Sequence, residues 1–118
     1  MTSALESSPN RLAARPGRAA LVIADLGELR GPAAGVVQLP HRMLWLPPQD
    51  RNFDLADDYD RCRMYEIVLR EAVQYGELRT LLNAGVLAGV WPQLLLPRGV
   101  RTAWQQRHPM LAAVRAAG

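Results

Sequence analysis

The sequence lacks several features that define common classes of protein. It contains no lysine and one cysteine, Cys62, and no apolar run reaches the ~20 residues of a membrane-spanning helix. A single cysteine excludes a disulfide framework within the chain. The first twenty residues hold no apolar core of signal-peptide length. We therefore expect a soluble cytoplasmic protein with no membrane partner.

The composition predicts a folded chain of the size of one domain. The 118 residues have a mass of 13.1 kDa, and 49% of them are apolar, which excludes a wholly disordered chain. All 14 basic side chains are arginine, a bias that follows from GC-rich codons. We infer that the gene comes from a high-GC bacterial genome.

The residue patterns predict a mainly helical α+β fold. We expect about four helices around one core, with a small antiparallel β-hairpin near residues 35–55. The globular domain is predicted to span residues 17–109. A flexible N-terminal arm, residues 1–16, precedes it, and a C-terminal tail, residues 110–118, follows it.

Helical spacing of apolar residues predicts helices over residues 18–30 and 57–75, and Asp57 is the expected N-cap of the second. Gly76 is expected to end that second helix. Residues 77–91 indicate either one helix or two short helices that meet near residues 83–85.

Proline positions divide the rest of the chain. Pro97 is expected to begin a helix that continues to Arg107. Pro40 interrupts the extended region, so Val36–Leu39 and Arg42–Leu46 are predicted as two short strands or as one bent edge strand. Phe53–Leu55 is predicted as a third extended piece.

The predicted core is drawn from the apolar positions of these segments. Its members are Leu26, Leu29, Val37, Leu44, Trp45, Tyr65, Leu69, Leu82, Leu87, Trp91, Leu95, Val100 and Trp104.

Charge is distributed unevenly along the chain. Residues 46–77 carry eight acids and four arginines, whereas residues 78–118 carry five arginines and no acid. The helix predicted from Pro97 to Arg107 lies in this basic region and is therefore the predicted partner-binding surface. Its expected contact residues are Arg98, Arg101, Trp104 and Arg107, with Trp104 as an exposed interface residue among polar neighbours. For Trp104 this interpretation competes with a place in the core.

The sequence contains none of the common catalytic or phosphate-binding motifs, neither GxxxxGK[ST] nor GxGxxG nor GxSxG. His41, His108 and Cys62 do not have the spacing of metal ligands, and Cys62 is expected to act as a small apolar residue. We expect no enzyme, no cofactor and no metal. The alternative is a divalent-ion hydrolase built on the acids of residues 50–60, although capping and turn chemistry also explain those acids.

A small DNA-binding regulator is the alternative among binding proteins, with the same arginines on phosphates. The order of the predicted elements differs from that of a winged helix-turn-helix domain. Here the extended region precedes the helix over residues 57–75, whereas in a winged domain the hairpin follows the recognition helix. The helix over residues 57–75 is also acidic at its start, which makes it a poor recognition helix for DNA.

Three segments resemble a known group of proteins: LPHRMLWLPPQDRNFDLAD, YEIVLREA and LNAGVLAGVWPQLLLPRGVRTAWQQRHP. They are similar to small uncharacterised proteins of high-GC bacteria that lie beside nucleotidyltransferase-type toxins of abortive-infection systems. The resemblance covers roughly residues 36–109. It implies an antitoxin or accessory subunit of a toxin or defence pair, with such a toxin as the protein partner, and it assigns no residue roles.

Overall fold

The longest helix, α1 (Asp58–Glu71), lies at the centre of the computed structural model, which describes residues 20–113. The Asp57 carboxylate caps it by accepting the backbone N–H of Asp60 at 2.8 Å. Acidic residues occupy its first turn, where the helix dipole favours negative charge. One face is buried: Met64, Tyr65, Ile67, Val68 and Leu69. The predicted helix and its cap are confirmed.

Helix α1 ends before the predicted boundary, and Gly76 does not end it. Ala72 is already extended, and Gly76 lies within the next helix, α2 (Tyr75–Leu81). The reason is Glu77, whose Oε1 accepts the backbone N–H groups of Val73 and Gln74 at 2.9 and 3.1 Å. These bonds start a new helix where the sequence alone favours continuation of the old one.

The predicted region 77–91 is divided between two short helices, α2 and α3, as one of the two predicted alternatives has it. Asn83 separates α2 from α3 (Ala84–Val90), and its side chain caps α3 by accepting from Val86 N–H. A 3₁₀ turn, Trp91–Gln93, follows α3.

Helix α4 (Arg98–Arg107) begins one residue after Pro97, which takes the N-cap position, and ends where the sequence predicts. Helix α5 (Pro109–Ala113) comes directly afterwards, and its Leu111 is fully buried. Leu111 of the predicted tail therefore packs into the core, whereas Met110, Ala112 and Ala113 are exposed. The rest of that tail and the predicted arm, residues 1–16, lie outside the described residues.

The predicted hairpin is present, but it uses only two of the three expected extended pieces. Strand β1 (Val36–Gln38) pairs antiparallel with β2 (Asn52–Asp54), with Val37 opposite Phe53. The Arg42–Leu46 piece is not a strand but part of a loop. Pro40 and the Pro47–Pro48 pair confine it to a series of turns.

The predicted helix over residues 18–30 is wrong for its described part, in which only Leu26–Glu28 forms a 3₁₀ turn. Backbone groups bond across the molecule instead of along a helix: Gly31 N–H donates to the Leu82 carbonyl at 2.8 Å, and Arg30 forms an isolated bridge with Asn83. A Cβ at Gly31 would lie 2.7 Å from the Leu81 carbonyl carbon, so this approach requires glycine.

One core fills the space between these elements and includes most of the predicted residues. Leu29, Val37, Tyr65, Leu69, Leu82, Leu87, Trp91, Val100 and Trp104 are buried, and Leu26 and Leu44 are partly buried. Trp45 and Leu95 were expected inside but are each 79% exposed. Within residues 20–113, the helices are all too short or too polar to span a membrane.

Ionisation of Tyr65 should make the free energy of unfolding depend on pH in the alkaline range. Burial raises the pKa of its phenol above the ordinary 10.0, while its oxygen accepts the Asn83 N–H at 2.8 Å. The unfolded chain ionises first as the pH rises, so this contribution is complete below about pH 10 and is lost above it.

Tyr65→Phe removes that acceptor and should lower the free energy of unfolding by about 1 kcal/mol at neutral pH. It should also flatten the loss of stability at alkaline pH, measured by urea unfolding at a series of pH values. Tyr75→Phe, at a half-exposed position, is the control. Equal effects of the two variants would contradict this assignment.

Candidate protein-binding surface

Helix α4 does not present the predicted binding residues as one surface. Trp104 is fully buried, with its ring centroid 6.5 Å from that of Trp91 and 5.8 Å from that of His108. Its prediction as an exposed contact residue is therefore wrong, and the competing core interpretation is confirmed. The polar neighbours in sequence lie on other sides of the helix.

The arginines of α4 are also separated. The Arg101 guanidinium lies 5.0 Å from the centre of the Trp91 ring and donates to the Leu94 carbonyl, so it is used within the fold. Arg98 and Arg107 are exposed. They are nine positions apart, which at ~100° per residue places them about half a turn from each other.

The positive charge of the protein does not come from the described fold. Residues 20–113 contain ten arginines and ten acids, so the net charge of +3 belongs to the residues on either side. The described fold as a whole therefore has no net positive charge that would strengthen the attraction of an arginine surface on α4 for phosphates or acidic partners.

Three of the five acids in residues 50–60 accept backbone N–H groups. Asp57 caps α1, Asp60 accepts the Asp54 N–H at 3.1 Å, and Asp54 accepts the Ala56 N–H at 2.9 Å. Asp58 forms an ion pair with Arg61. No group of three His, Cys, Asp or Glu residues within 20–113 is arranged to hold a metal ion.

The two histidines and the cysteine have separate surroundings and do not form a common site. His108 is buried, and its Nε2 donates to the Ile23 carbonyl at 2.7 Å. His41 is exposed on the loop after β1. The half-buried Cys62 donates weakly to Gln93 Oε1 at 3.6 Å. Burial, with a smaller contribution from the Glu66 carboxylate, raises the pKa of the Cys62 thiol.

The most exposed aromatic side chain belongs to a segment that we call the Trp45 loop, residues 40–46. Trp45 is 79% exposed and packs against His41, with ring centroids 5.1 Å apart. Its neighbour Leu46 is also exposed, whereas Met43 turns inward and takes a place in the core. The loop therefore has an anchored inner side and an apolar outer side.

Arginines hold the Trp45 loop in place from both ends. Arg51 Nε donates to the Leu39 carbonyl at 2.9 Å, and its Nη1 donates to the Leu46 carbonyl. Arg42 forms an ion pair with Glu77 at the start of α2. A large indole on a loop with this many contacts is suited to bind a partner with little loss of conformational entropy.

Sequence reasoning missed the Trp45 loop because MLWL has the composition of a buried strand. The signal that identifies it is the placement of prolines on both sides, Pro40 before and Pro47 after, because proline has no N–H to donate to a β-ladder.

No protein-family model, no curated protein and no solved structure matches the chain.

Replacing the cap of α1 should separate a structural from a metal-binding role of the acids. Asp57→Ala should lower the free energy of unfolding by about 1 kcal/mol, because the Asp60 N–H loses its acceptor. Asp50→Ala, at an exposed position, should change it by less than about 0.5 kcal/mol. Urea unfolding measures both. A melting temperature that Mg²⁺ raises, and that Asp54→Ala makes insensitive to Mg²⁺, would instead support the divalent-ion alternative.

The Cys62 thiol should react slowly at neutral pH. A raised pKa means less thiolate, so reaction with a disulfide reagent should be slower than in the urea-unfolded chain. The rate of the native protein should rise at a higher pH than that of the unfolded chain, whose same cysteine is the internal control. Equal rates and equal pH profiles would show that the fold does not protect the thiol.

Proposed function

We propose that the protein is a non-enzymatic bacterial interaction protein that acts in the cytoplasm as an antitoxin or accessory subunit of a toxin or defence pair. In this proposal it binds another protein, a toxin-like nucleotidyltransferase, through the Trp45 loop. The observation that carries the proposal is the 79% exposure of Trp45 on an anchored loop.

Tryptophan is enriched among the few residues that supply most of the binding free energy at protein interfaces. It is costly to leave such a side chain in water, and a monomeric fold with space in its core would bury it. In this chain the core is already filled by Trp91 and Trp104, while Trp45 stays outside with its loop held by Arg51. A partner that covers the indole explains both the exposure of Trp45 and the anchoring of its loop.

The partner class follows from the resemblance of residues 36–109 to proteins that lie beside nucleotidyltransferase-type toxins. The Trp45 loop falls within that range. The arginines Arg98, Arg101 and Arg107 are not required for this binding mode, and Trp104 has a structural role only.

The test is a pull-down of the tagged full-length chain from its host at moderate salt, with and without nuclease treatment. The wild type should retain one stoichiometric protein after nuclease treatment. Trp45→Ala should weaken its retention by about 30-fold, the effect of losing a central interface residue. Val36→Ala is the matched control, because Val36 is 66% exposed on β1 and lies outside the loop.

Two results would overturn the proposal. Equal retention by the wild type and Trp45→Ala would show that the loop is not the binding surface. Retention of nucleic acid, with everything lost after nuclease treatment, would support the DNA-binding regulator instead. Circular dichroism of each variant confirms that the fold is intact.

A further inference from the structure

Strand β1 belongs to a sheet of two strands, so β2 covers only one of its two edges. Hydrogen bonds beside the strand show which residues face β2. Leu55 N–H donates to the Gly35 carbonyl at 2.8 Å, and Leu39 N–H donates to the residue before β2 at 3.0 Å. Bonded and non-bonded positions alternate along an antiparallel pair, so Val36 and Gln38 direct their N–H and C=O groups away from β2.

The outward edge of β1 is exposed and unpaired. Val36 is 66% exposed, and Gln38 is exposed as well. Their outward N–H and C=O groups have no hydrogen-bond partner within residues 20–113. A row of free donors and acceptors of this kind pairs with a second extended strand, which offers acceptors and donors at the matching spacing. The chemistry of the edge therefore specifies an extended backbone as its occupant.

The opposite edge of the sheet is occupied by the start of α1. Asp54, the last residue of β2, donates its N–H to the Asp60 carboxylate at 3.1 Å, and its carbonyl accepts the Asp57 N–H at 3.0 Å. In the described part of the chain, Asn52 is then the one residue of β2 with free outward backbone groups, which is too short a stretch to pair a strand. Pairing at β1 thus leaves no comparable edge for further growth, so it ends at a closed dimer.

The residues around β1 favour a second copy of this chain as the occupant. Residues 31–40, GPAAGVVQLP, contain no charged side chain, so two copies can approach edge to edge without like-charge repulsion. Edge strands that avoid pairing with each other commonly carry lysine or an inward-pointing charge, and β1 has neither. The described fold as a whole adds no repulsion, because its ten arginines and ten acids balance.

We propose that two copies of the chain pair antiparallel through β1, about a two-fold axis between their Val37 residues. Val36 of each copy then lies opposite Gln38 of the other, and each such pair exchanges both of its backbone hydrogen bonds. The two Val37 side chains meet at a close cross-strand position, which is favourable for β-branched residues. The sheet becomes continuous, with the strand order β2–β1–β1–β2. This dimer does not rest on the proposed function, because β1 lies outside the Trp45 loop.

Sedimentation velocity of the full-length chain tests the proposal at concentrations from about 10 µM to about 1 mM, since an interface this small gives weak association. The wild type should shift from monomer towards dimer across this range. Val36→Lys places like charges on the paired edges and should raise the dimer dissociation constant at least about tenfold. Leu95→Lys adds the same charge at a position outside β1 that is 79% exposed, and it should dimerise as the wild type does.

Disulfide formation tests the register of the two strands. Chains with Val36→Cys, mixed with chains with Gln38→Cys, should form a mixed disulfide under mild oxidation, because the two positions face each other. Each variant alone should give no more disulfide-linked dimer than the wild type, which carries the same Cys62. Identical positions lie diagonally across the axis, beyond the usual separation of a disulfide.

Three results would overturn the proposal: a chain that stays monomeric up to about 1 mM, a dimer that Val36→Lys leaves intact, and a disulfide that forms equally well with either variant alone. A dimer that Trp45→Ala abolishes and Val36→Lys does not would place the contact on the Trp45 loop instead. Both substituted positions on β1 are exposed, so circular dichroism should show the wild-type fold in every variant.

Discussion

The fold depends on a junction at Asn83, where three separate parts of the chain meet. The Asn83 N–H donates to the Tyr65 hydroxyl of α1 at 2.8 Å, and its side-chain nitrogen donates to the Gly31 carbonyl at 3.2 Å. Its side-chain oxygen caps α3. Around it, Gly31 N–H reaches the Leu82 carbonyl at 2.8 Å, an approach that only glycine permits. Each buried polar group there has a partner, which is a condition for a stable interior.

This junction explains why the first described segment is irregular, with one 3₁₀ turn, rather than α-helical. Its backbone groups bond to α2 and α3, and its apolar residues, Ile23 and Leu29, enter the core from outside the helices. Ile23 in turn accepts from buried His108 at the end of α4. This hydrogen bond joins the first and last parts of the described chain, next to the Trp104 ring. With the Trp91 and Trp104 rings inside, Trp45 and Leu95 are the large apolar side chains that remain most exposed, at 79% each.

Local signals in the sequence were sufficient for α1, its Asp57 cap, the hairpin and the end of α4. The errors share one cause, because contacts distant in sequence decided those cases. Residues 20–30 have helical spacing, but their backbone bonds around Gly31 and Asn83 instead of forming an α-helix. Trp45 and Leu95 have apolar neighbours in sequence, yet each is 79% exposed. Trp104 has polar neighbours, yet it is surrounded by Trp91 and His108. Periodicity identifies faces, whereas the partner of each face depends on the tertiary structure.

The same division applies to function. Polar side chains that looked suited to chemistry or to phosphate binding are largely occupied: Asp57 caps a helix, and Arg101 binds Leu94 and Trp91. Trp45, the most exposed aromatic side chain, has no such role within the core. The most direct measurement is photo-crosslinking in host cells with a photoreactive amino acid at position 45, and with the same group at position 36 for comparison. The account predicts one discrete protein adduct from position 45 that position 36 does not give. No adduct from position 45, or the same adducts from both positions, would contradict it.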